Sequence, residues 1–372
     1  MQDKSGHCVA VVGGAVSGSV AAEILADQGI EVVVIEQNDR PYGKIEDGLP
    51  RWHLHQRKQE YGRIDARLTK PGIHYVPRTK LGRDLSFGEL VEEWGLSAVL
   101  LANGAWRDRP LLPGAEEWVG KGLEYQNPFI YWFNHKHEKS YDGPRVDVPD
   151  GAVVFGGGLA SIDCVKVCQL ETWERAFRER GIEVEMLELE KKGIPATCEK
   201  HGVKPEDFGL RGCLLLYRRR TDDMPLAQPP ENATPEQMEK TIAARRKLLG
   251  RAQEKYLFRV QDCTLPLELV TKGGRVTGVK TIRTQVEGRK VSNIEGSEEV
   301  IETGLVISSI GSIPEPIEGI AMKGETFAFK DWDLGVYDES KGVFGIGNVV
   351  TGQGNIRASL LHAQKVAGSL AE

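Results

Sequence analysis

The sequence lacks the features that mark membrane and nucleic-acid-binding proteins. It has no run of about 18 apolar residues, the length that a membrane-spanning helix needs. It also has no excess of positive charge, because 48 Lys and Arg residues stand against 54 Asp and Glu residues, a formal net charge of -6. A chain of this charge has no overall field that attracts phosphate backbones. We therefore expect neither membrane insertion nor a nucleic-acid partner.

Cysteine is scarce and scattered. The six cysteines form no Cys-x-x-Cys pair and no Cys/His cluster at metal-ligand spacing, so we expect no metal site. Cys164 and Cys168 lie one helical turn apart, a spacing more typical of core packing than of a redox dithiol. Scattered thiols, together with a polar start that leaves no room for a signal peptide, predict a cytoplasmic location.

Glycine, in contrast, is abundant, and it follows apolar strand patterns. The chain has 43 glycines in 372 residues, and the usual share is about 7%. Residues 7–12 (HCVAVV) predict a strand, residues 17–28 a helix, and residues 31–35 (EVVVI) a second strand. The same order of strand, glycines and helix starts again at residues 152–155. The sequence therefore predicts an α/β fold with two Rossmann-like dinucleotide-binding domains.

The chain between and after these two starts is less regular. Residues 104–114 are rich in Pro and Gly and indicate a crossing between domains. Residues 171–211 are charged and helical in pattern, which indicates an insert in the second domain. Residues 235–255 predict a basic amphipathic helix, residues 267–282 a β-hairpin, and the residues after Gly354 a final helix.

The first glycine-rich turn has the position of a dinucleotide fingerprint. Residues 13–18 (GGAVSG) follow a strand and open a helix, as the G-x-G-x-x-G motif does, although Ala15 replaces its second glycine. Glu36 ends the next strand, where a carboxylate accepts hydrogen bonds from ribose hydroxyls and disfavours a 2′-phosphate. The alternative is a glycine-rich turn of a flavodoxin-like domain with Glu36 in solvent.

The second turn carries different chemistry. Gly156, Gly157 and Gly158 would let a pyrophosphate approach the helix that follows. The next strand ends in residues 218–220 (RRR), and guanidinium groups suit a 2′-phosphate, which favours NADPH over NADH. The alternative is a solvated basic strand end that nearby acids neutralise.

Further motifs follow in one collinear order and carry a family resemblance. They are residues 40–50 (RPYGKIEDGLP), 98–105 (AVLLANGA), 156–163 (GGGLASID), 217–219 (YRR) with 224–225 (MP), 309–311 (SIG), 345–348 (GIGN) and 352–356 (GQGNI). Together they resemble the FAD- and NAD(P)-binding oxidoreductases of the adrenodoxin reductase and glutamate synthase small-subunit type. The resemblance spans nearly the whole chain.

The resemblance implies a discontinuous FAD-binding domain of residues 1–108 and 325–372. An NAD(P)H-binding domain of residues 109–324, with the charged insert near 171–211, would interrupt it. The implied cofactors are FAD and NADPH, with NADH possible. Hydride would pass from nicotinamide C4 to flavin N5, so the resemblance implies no catalytic side chain.

The resemblance also implies which residues hold each cofactor. For FAD they are Gly13, Ala15, Ser17, Gly18, Glu36, Gly43, Lys44, Ile45, Gly104, Gly347, Asn348, Gly354, Asn355 and Ile356. For NAD(P)H they are Gly156, Gly157, Gly158, Leu159, Arg218 and Arg219. Members of the family often have Thr where this chain has Asn103 and an acid where it has Asn348, although an amide can still form hydrogen bonds.

The implied activity is electron transfer between NAD(P)H and a ferredoxin or an iron–sulfur subunit. Basic residues at 51–58 and 245–255 either suit an acidic electron carrier or are solvated helix faces. One alternative is an electron-transfer subunit of a larger redox complex, whose substrate site is on another chain. A flavoprotein with a structural role and a flavin monooxygenase also remain open, and no residue pattern positively requires the latter.

Overall fold

The computed structural model describes residues 6–230 and 232–371. Within those ranges no helix combines the length and the apolar composition that a bilayer crossing needs. The strands are β1 (Cys8–Val12), β2 (Glu31–Ile35), β3 (Ile73–Val76), β4 (Ala98–Leu101), β5 (Arg107–Asp108), β6 (Leu123–Tyr125), β7 (Val153–Phe155), β8 (Leu214–Leu216), β9 (Arg259–Gln261), β10 (Thr264–Lys272), β11 (Arg275–Glu287), β12 (Lys290–Asn293), β13 (Glu299–Glu302), β14 (Val306–Ser308), β15 (Ser312–Ile313), β16 (Met322–Lys323), β17 (Thr326–Phe327), β18 (Val336–Asp338) and β19 (Val343–Gly345). The α-helices are α1 (Val16–Ala26), α2 (Lys44–Asp47), α3 (Leu54–Leu68), α4 (Phe87–Glu92), α5 (Gln126–His135), α6 (Leu159–Glu179), α7 (Met186–Lys192), α8 (Ile194–Lys200), α9 (Pro235–Tyr256), α10 (Asn348–Thr351) and α11 (Ile356–Ala371).

The chain forms two compact units, one inserted in the other. The first unit consists of Met1–Arg107 and Ser312–Glu372, and the second of Asp108–Gly311. The first crossing falls inside the Pro- and Gly-rich residues 104–114. The return falls at Ser312, so residues 312–324, which the sequence assigned to the inserted domain, pack with the first unit. The reason is burial, because Ile320 lies in the same apolar core as Phe327 and Phe329.

The first unit is built on a six-stranded sheet in the order β18-β19-β4-β1-β2-β3. All neighbouring pairs are parallel except β18 with β19. The chain leaves β1 in one direction, toward β2 and β3, and later adds β4 and β19 on the other side. The carboxyl ends of β1 and β4 therefore flank a switch point, where open α/β sheets bind ligands.

Small side chains let two helices pack closely on one face of this sheet. The buried residues of α1 include Gly18, Ala21 and Ala22, and those of α11 include Ala363 and Ala367. The four alanines lie in one apolar core cluster with the valines of β1 and β2. The C-terminal helix is thus part of the same packing layer as the helix of the first fingerprint.

The second unit repeats the parallel architecture. Its five-stranded sheet has the order β6-β14-β7-β8-β9, and every neighbouring pair is parallel. Here the switch point lies between β7 and β14. The predicted fold class, α/β with two Rossmann-like units, is confirmed.

Two additions distinguish the second unit. One is an antiparallel sheet in which β11 pairs with β10, β12 and β13, and the hairpin between β10 and β11 turns where the sequence predicted it. The other is the charged region near 171–211, into which α6 extends as far as Glu179. Within this region the rings of Trp173, Phe177 and Phe208 pack against one another.

The turn between β1 and α1 generates a stability prediction. A Cβ added to Gly18 would lie 1.7 Å from the Gly13 carbonyl oxygen, whereas one added to Gly62, exposed in α3, would meet nothing within 4 Å. We expect Gly18→Ala to destabilise the first unit by about 3 kcal/mol or more, since backbone must shift to relieve the overlap. Gly62→Ala should stabilise it by about 0.5–1 kcal/mol, because alanine favours the helix. Denaturant unfolding measures both variants, and equal midpoints would contradict the close approach.

Candidate functional site

The first candidate site lies at the carboxyl ends of β1, β2, β4 and β19. Gly13 follows β1 with φ +104, and a Cβ there would lie 2.6 Å from the Ala102 carbonyl oxygen beyond β4. Only glycine allows this contact between the ends of two neighbouring strands. The turn is therefore held tightly against the end of β4 at the switch point, where open α/β sheets bind ligands.

Ala15, the departure from the fingerprint, has a specific neighbour. It precedes α1, and its carbonyl oxygen accepts a hydrogen bond from Ser19 N at 2.8 Å. A Cβ on Gly43, which has φ +49, would lie 3.1 Å from the Ala15 methyl. The methyl thus lies beside the bare backbone of Gly43, so these two predicted site residues adjoin each other.

Glu36 is buried and organises the glycine-rich turn. Its side chain accepts hydrogen bonds from Gly14 N at 2.8 Å and Asn38 N at 3.0 Å, and the residue is 4% exposed. Burial raises the pKa of this carboxyl group, and the backbone hydrogen bonds oppose the rise. A carboxylate has about four lone-pair sites, so capacity for the two hydroxyls of a ribose remains. The structure does not support the alternative of a solvated strand end.

The C-terminal segment brings Gly347 to the same turn. Gly347 has φ +71, and a Cβ there would lie 2.6 Å from Ser17 Oγ. Its N–H donates to Nδ1 of His362 at 3.1 Å, so Nε2 carries the ring proton and donates to the Trp332 carbonyl at 3.2 Å. Burial lowers the pKa of His362, which favours this neutral form. No local motif in the sequence marks His362 for this positioning role, which depends on its contacts with Gly347 and Trp332.

Two buried amide oxygens at this edge have no partner. They are Oδ1 of Asn103, beyond β4, and Oδ1 of Asn348, at the start of α10. A buried polar atom without a hydrogen bond costs free energy unless a ligand or water satisfies it. Both atoms are acceptors, and the ribityl chain of FAD carries hydroxyl donors. The two departures from the family pattern therefore fit a flavin cofactor chemically.

The remaining predicted residues of this module divide into two groups. Ile45 is buried in α2, while the Lys44 ammonium donates to Ser312 Oγ at 3.2 Å and lies 5.6 Å from the Trp106 ring centroid. Gly104 has φ +68 and also adjoins Trp106.

The other group is the segment before α11. Gly354 and Asn355 are exposed, and α11 begins at Ile356. Oδ1 of Asn355 accepts the Ala358 N–H at 2.8 Å. The Asn355 side chain thus caps the helix and occupies one of the N–H groups at its start.

The second candidate site lies at the carboxyl ends of β7, β8 and β14. A Cβ on Gly156 would lie 2.4 Å from the Ser309 carbonyl oxygen, and one on Gly157 would lie 2.2 Å from the Tyr217 ring. Gly158, in contrast, faces open space at the start of the 21-residue α6, where Leu159 is exposed. The first two glycines serve packing, and the third leaves the helix N-terminus accessible to an anion.

The structure separates the two arginines predicted for this site. Arg219 donates to the carbonyl oxygens of Gly288 at 2.8 Å and Arg289 at 3.1 Å, and it lies 3.4 Å from an Asp223 oxygen. Arg218 is exposed, and its guanidinium makes no hydrogen bond or ion pair to another described residue. Arg218 is therefore the arginine available to a phosphate, while Arg219 is committed to the fold.

The described cysteines and acidic groups form no disulfide and no cluster of metal ligands. All six cysteines are free thiols. Burial raises the pKa of the Cys164 and Cys168 thiols, which keeps them protonated and unreactive. Across residues 6–230 and 232–371, no three His, Cys, Asp or Glu side chains are grouped as metal ligands.

Known proteins match both the sequence and the fold. The sequence model of one protein family, the NAD(P)-binding Rossmann-like domain, matches residues 11–58. The NADPH glutamate synthase small chain of Escherichia coli is 23% identical over 99% of this chain and 68% of its own length. The NADPH-Fe(3+) oxidoreductase subunit beta of Geobacter sulfurreducens is 28% identical over 82% of this chain, but this covers only 37% of that subunit. The NADPH glutamate synthase small chain of Bacillus subtilis is 32% identical, over 44% of this chain and 32% of its own length.

Solved structures share the fold over nearly the whole chain. FprA of Mycobacterium tuberculosis, in complex with NADPH, has a TM-score of 0.71 at 20% identity and covers 98% of this chain and 84% of its own. Thioredoxin reductase of T. acidophilum has a TM-score of 0.56 at 15% identity and covers 98% of this chain and 97% of its own. The predicted family resemblance is confirmed.

Glu36 generates a binding prediction. We expect Glu36→Ala to weaken FAD retention by about tenfold, because charge-assisted hydrogen bonds to the ribose are lost. The matched control is Glu31→Ala, at the exposed amino end of the same strand. The measurement is the ratio of FAD to protein after gel filtration and the dissociation constant for added FAD. Unchanged retention in Glu36→Ala would remove Glu36 from the site.

Proposed function

We propose that this chain, which is similar to the NADPH glutamate synthase small chain, is an FAD-dependent NAD(P)H oxidoreductase. It passes electrons between NADPH and a ferredoxin or an iron–sulfur protein. The observation that carries the proposal is the pair of glycine-rich turns on one chain. One turn ends in the buried acid Glu36, and the other is followed by the uncommitted cation Arg218.

The first unit suits FAD. Gly13, Ser17 and Gly18 form the turn for the pyrophosphate, and Glu36 accepts hydrogen bonds from the adenosine ribose. The unpartnered oxygens of Asn103 and Asn348 supply acceptors for the ribityl chain, and Gly347, next to Asn348, packs against Ser17. When bound, the flavin supplies two-electron hydride exchange with nicotinamide and single-electron exchange with an iron–sulfur carrier.

The second unit suits NADPH. Gly158 and Leu159 open α6 toward the pyrophosphate, and Arg218 provides a guanidinium for the 2′-phosphate. A guanidinium at this position favours NADPH, while the glycine turn alone would accept NADH as well. The role of the protein in the reaction is to bind and orient the two nucleotides, and no side chain is required as an acid or base.

A second candidate function follows from the names of the relatives. Two are called small chains and one is called a subunit. The matched regions cover only about a third of the length of the Bacillus and Geobacter relatives. The corresponding proposal is an electron-transfer subunit of a larger redox complex whose substrate site is on another chain. The free thiols support a cytoplasmic location for either candidate.

The experiment that tests the proposal is an anaerobic titration. The purified protein is titrated with NADPH and separately with NADH while the flavin absorbance is followed. We expect stoichiometric bleaching at lower concentrations of NADPH than of NADH. Bound flavin that neither nucleotide bleaches would overturn the reductase proposal. Chains that co-purify in fixed stoichiometry would favour the subunit over the free-standing enzyme.

The preference for NADPH has its own test. We expect Arg218→Ala to raise the Michaelis constant for NADPH by about tenfold, since it removes a charge-assisted contact to the 2′-phosphate. The constant for NADH should not change. Arg220→Ala is the matched control, because Arg220 already faces Asp223, with 3.4 Å between Nε and a carboxylate oxygen. Equal effects of Arg218→Ala on the two nucleotides would contradict the assignment of this arginine.

A further inference from the structure

The hairpin between β11 and β12 is fastened to the strand end that carries Arg218. Both Arg219 hydrogen bonds end on the tip of this hairpin, at the carbonyl oxygens of Gly288 and Arg289. Gly288 has φ +57, and Glu287 is paired with Lys290 across the turn. A neighbouring guanidinium therefore caps a turn that would otherwise present its carbonyl groups to water.

Hydrogen bonds from Thr284, in β11, and from Cys263 hold the backbone at Arg218 and Arg219. The buried Thr284, in β11, donates its hydroxyl to the Arg218 carbonyl oxygen at 2.8 Å. Cys263 N donates to the Arg219 carbonyl oxygen at 3.0 Å, and Thr284 N donates to the Cys263 carbonyl oxygen at 2.8 Å. These bonds fix the position of the strand end relative to β11 and its hairpin.

The hairpin tip that Arg219 binds carries two further cations. Arg289 and Lys290 are exposed, and Arg289 makes no side-chain hydrogen bond or ion pair to a described residue. The single acid in the turn, Glu287, is opposite Lys290 and accepts a hydrogen bond from Gln285 at 2.8 Å. The two acids that follow this strand end in the chain are similarly engaged, since Asp222 is paired with Arg246 and Asp223 lies between Arg219 and Arg220.

We propose that Arg289 is a second cation for the 2′-phosphate of the nucleotide and that Arg219 is a positioning residue that holds the hairpin tip beside Arg218. The inference rests on the proposed NADPH function and extends it, because it takes the specificity for NADPH beyond the strand end to a separate antiparallel hairpin. Two guanidinium groups from different elements can contact different oxygens of one dianionic phosphate.

The test compares two ligands that differ by the phosphate alone. Isothermal titration calorimetry of the holoprotein measures the affinities for 2′,5′-ADP and for 5′-AMP. We expect Arg289→Ala to weaken 2′,5′-ADP by about tenfold and to leave 5′-AMP unchanged. Arg289→Lys, which keeps the charge, should retain most of the affinity. Arg275→Ala is the matched control, since Arg275 is exposed at the other end of β11, about 40 Å away along an extended strand.

The outcomes separate this inference from the proposed function. If Arg218→Ala reduces the preference for 2′,5′-ADP and Arg289→Ala does not, the hairpin inference is overturned and the NADPH function stands. If the unmodified protein binds both ligands equally, the NADPH preference and the hairpin inference are both overturned.

A double-mutant cycle tests the role given to Arg219. If Arg219 acts by holding the tip, Arg289→Ala should add little further loss of 2′,5′-ADP affinity in an Arg219→Ala background. Full additivity of the two losses would instead show that Arg219 and Arg289 act independently, and would overturn the positioning role. The affinity ratio of the two ligands is the readout, because loss of fold would change both affinities.

Discussion

The first unit depends on close backbone contacts at two glycines, Gly13 and Gly18, in and after the turn between β1 and α1. The Gly13 carbonyl oxygen lies where a Gly18 side chain would begin, and Gly13 itself lies against the Ala102 carbonyl oxygen. These contacts set how closely α1 approaches β1 and β4, and α11 packs on α1 through small residues. The same glycines form the turn at the switch point, so the packing of the core also fixes the backbone of the candidate site.

The two units meet similar demands with different local solutions. In the first, Ala15 replaces a glycine and its methyl lies beside Gly43. The buried Glu36 accepts a hydrogen bond from Gly14 N. In the second, Ser309 and Tyr217 occupy the space beside Gly156 and Gly157, and of the three glycines only Gly158 has open space beside it. The strand ends also differ in charge, with a carboxylate in one unit and arginines in the other. The proposal of FAD in one unit and NADPH in the other rests on this difference in charge between two sheets of similar topology.

Much of the fold and of the two candidate sites could be predicted from the sequence, and the exceptions have a common cause. The bounds of β2 match the predicted strand because EVVVI is a short apolar run between polar residues. The return to the first unit at Ser312 was predicted thirteen residues too late, because the burial of Ile320 depends on a distant core. The role of His362 and the engagement of Arg219 with Gly288 likewise depend on residues far away in the chain. Local patterns show which residue types are present, but they do not show to which distant carbonyl group a side chain will donate a hydrogen bond.

The discontinuous first sheet also bears on how the protein is made. Its strand β19 pairs with β4, yet the whole inserted unit lies between them in the chain. During synthesis the insert can complete its own sheet while the first unit still lacks β19, α10 and α11. Until the last helix leaves the ribosome, the small-residue face of α1 and one edge of β4 remain uncovered. The nascent chain thus exposes an open strand edge while the insert is translated, and an open edge is a template for pairing with a strand of another chain.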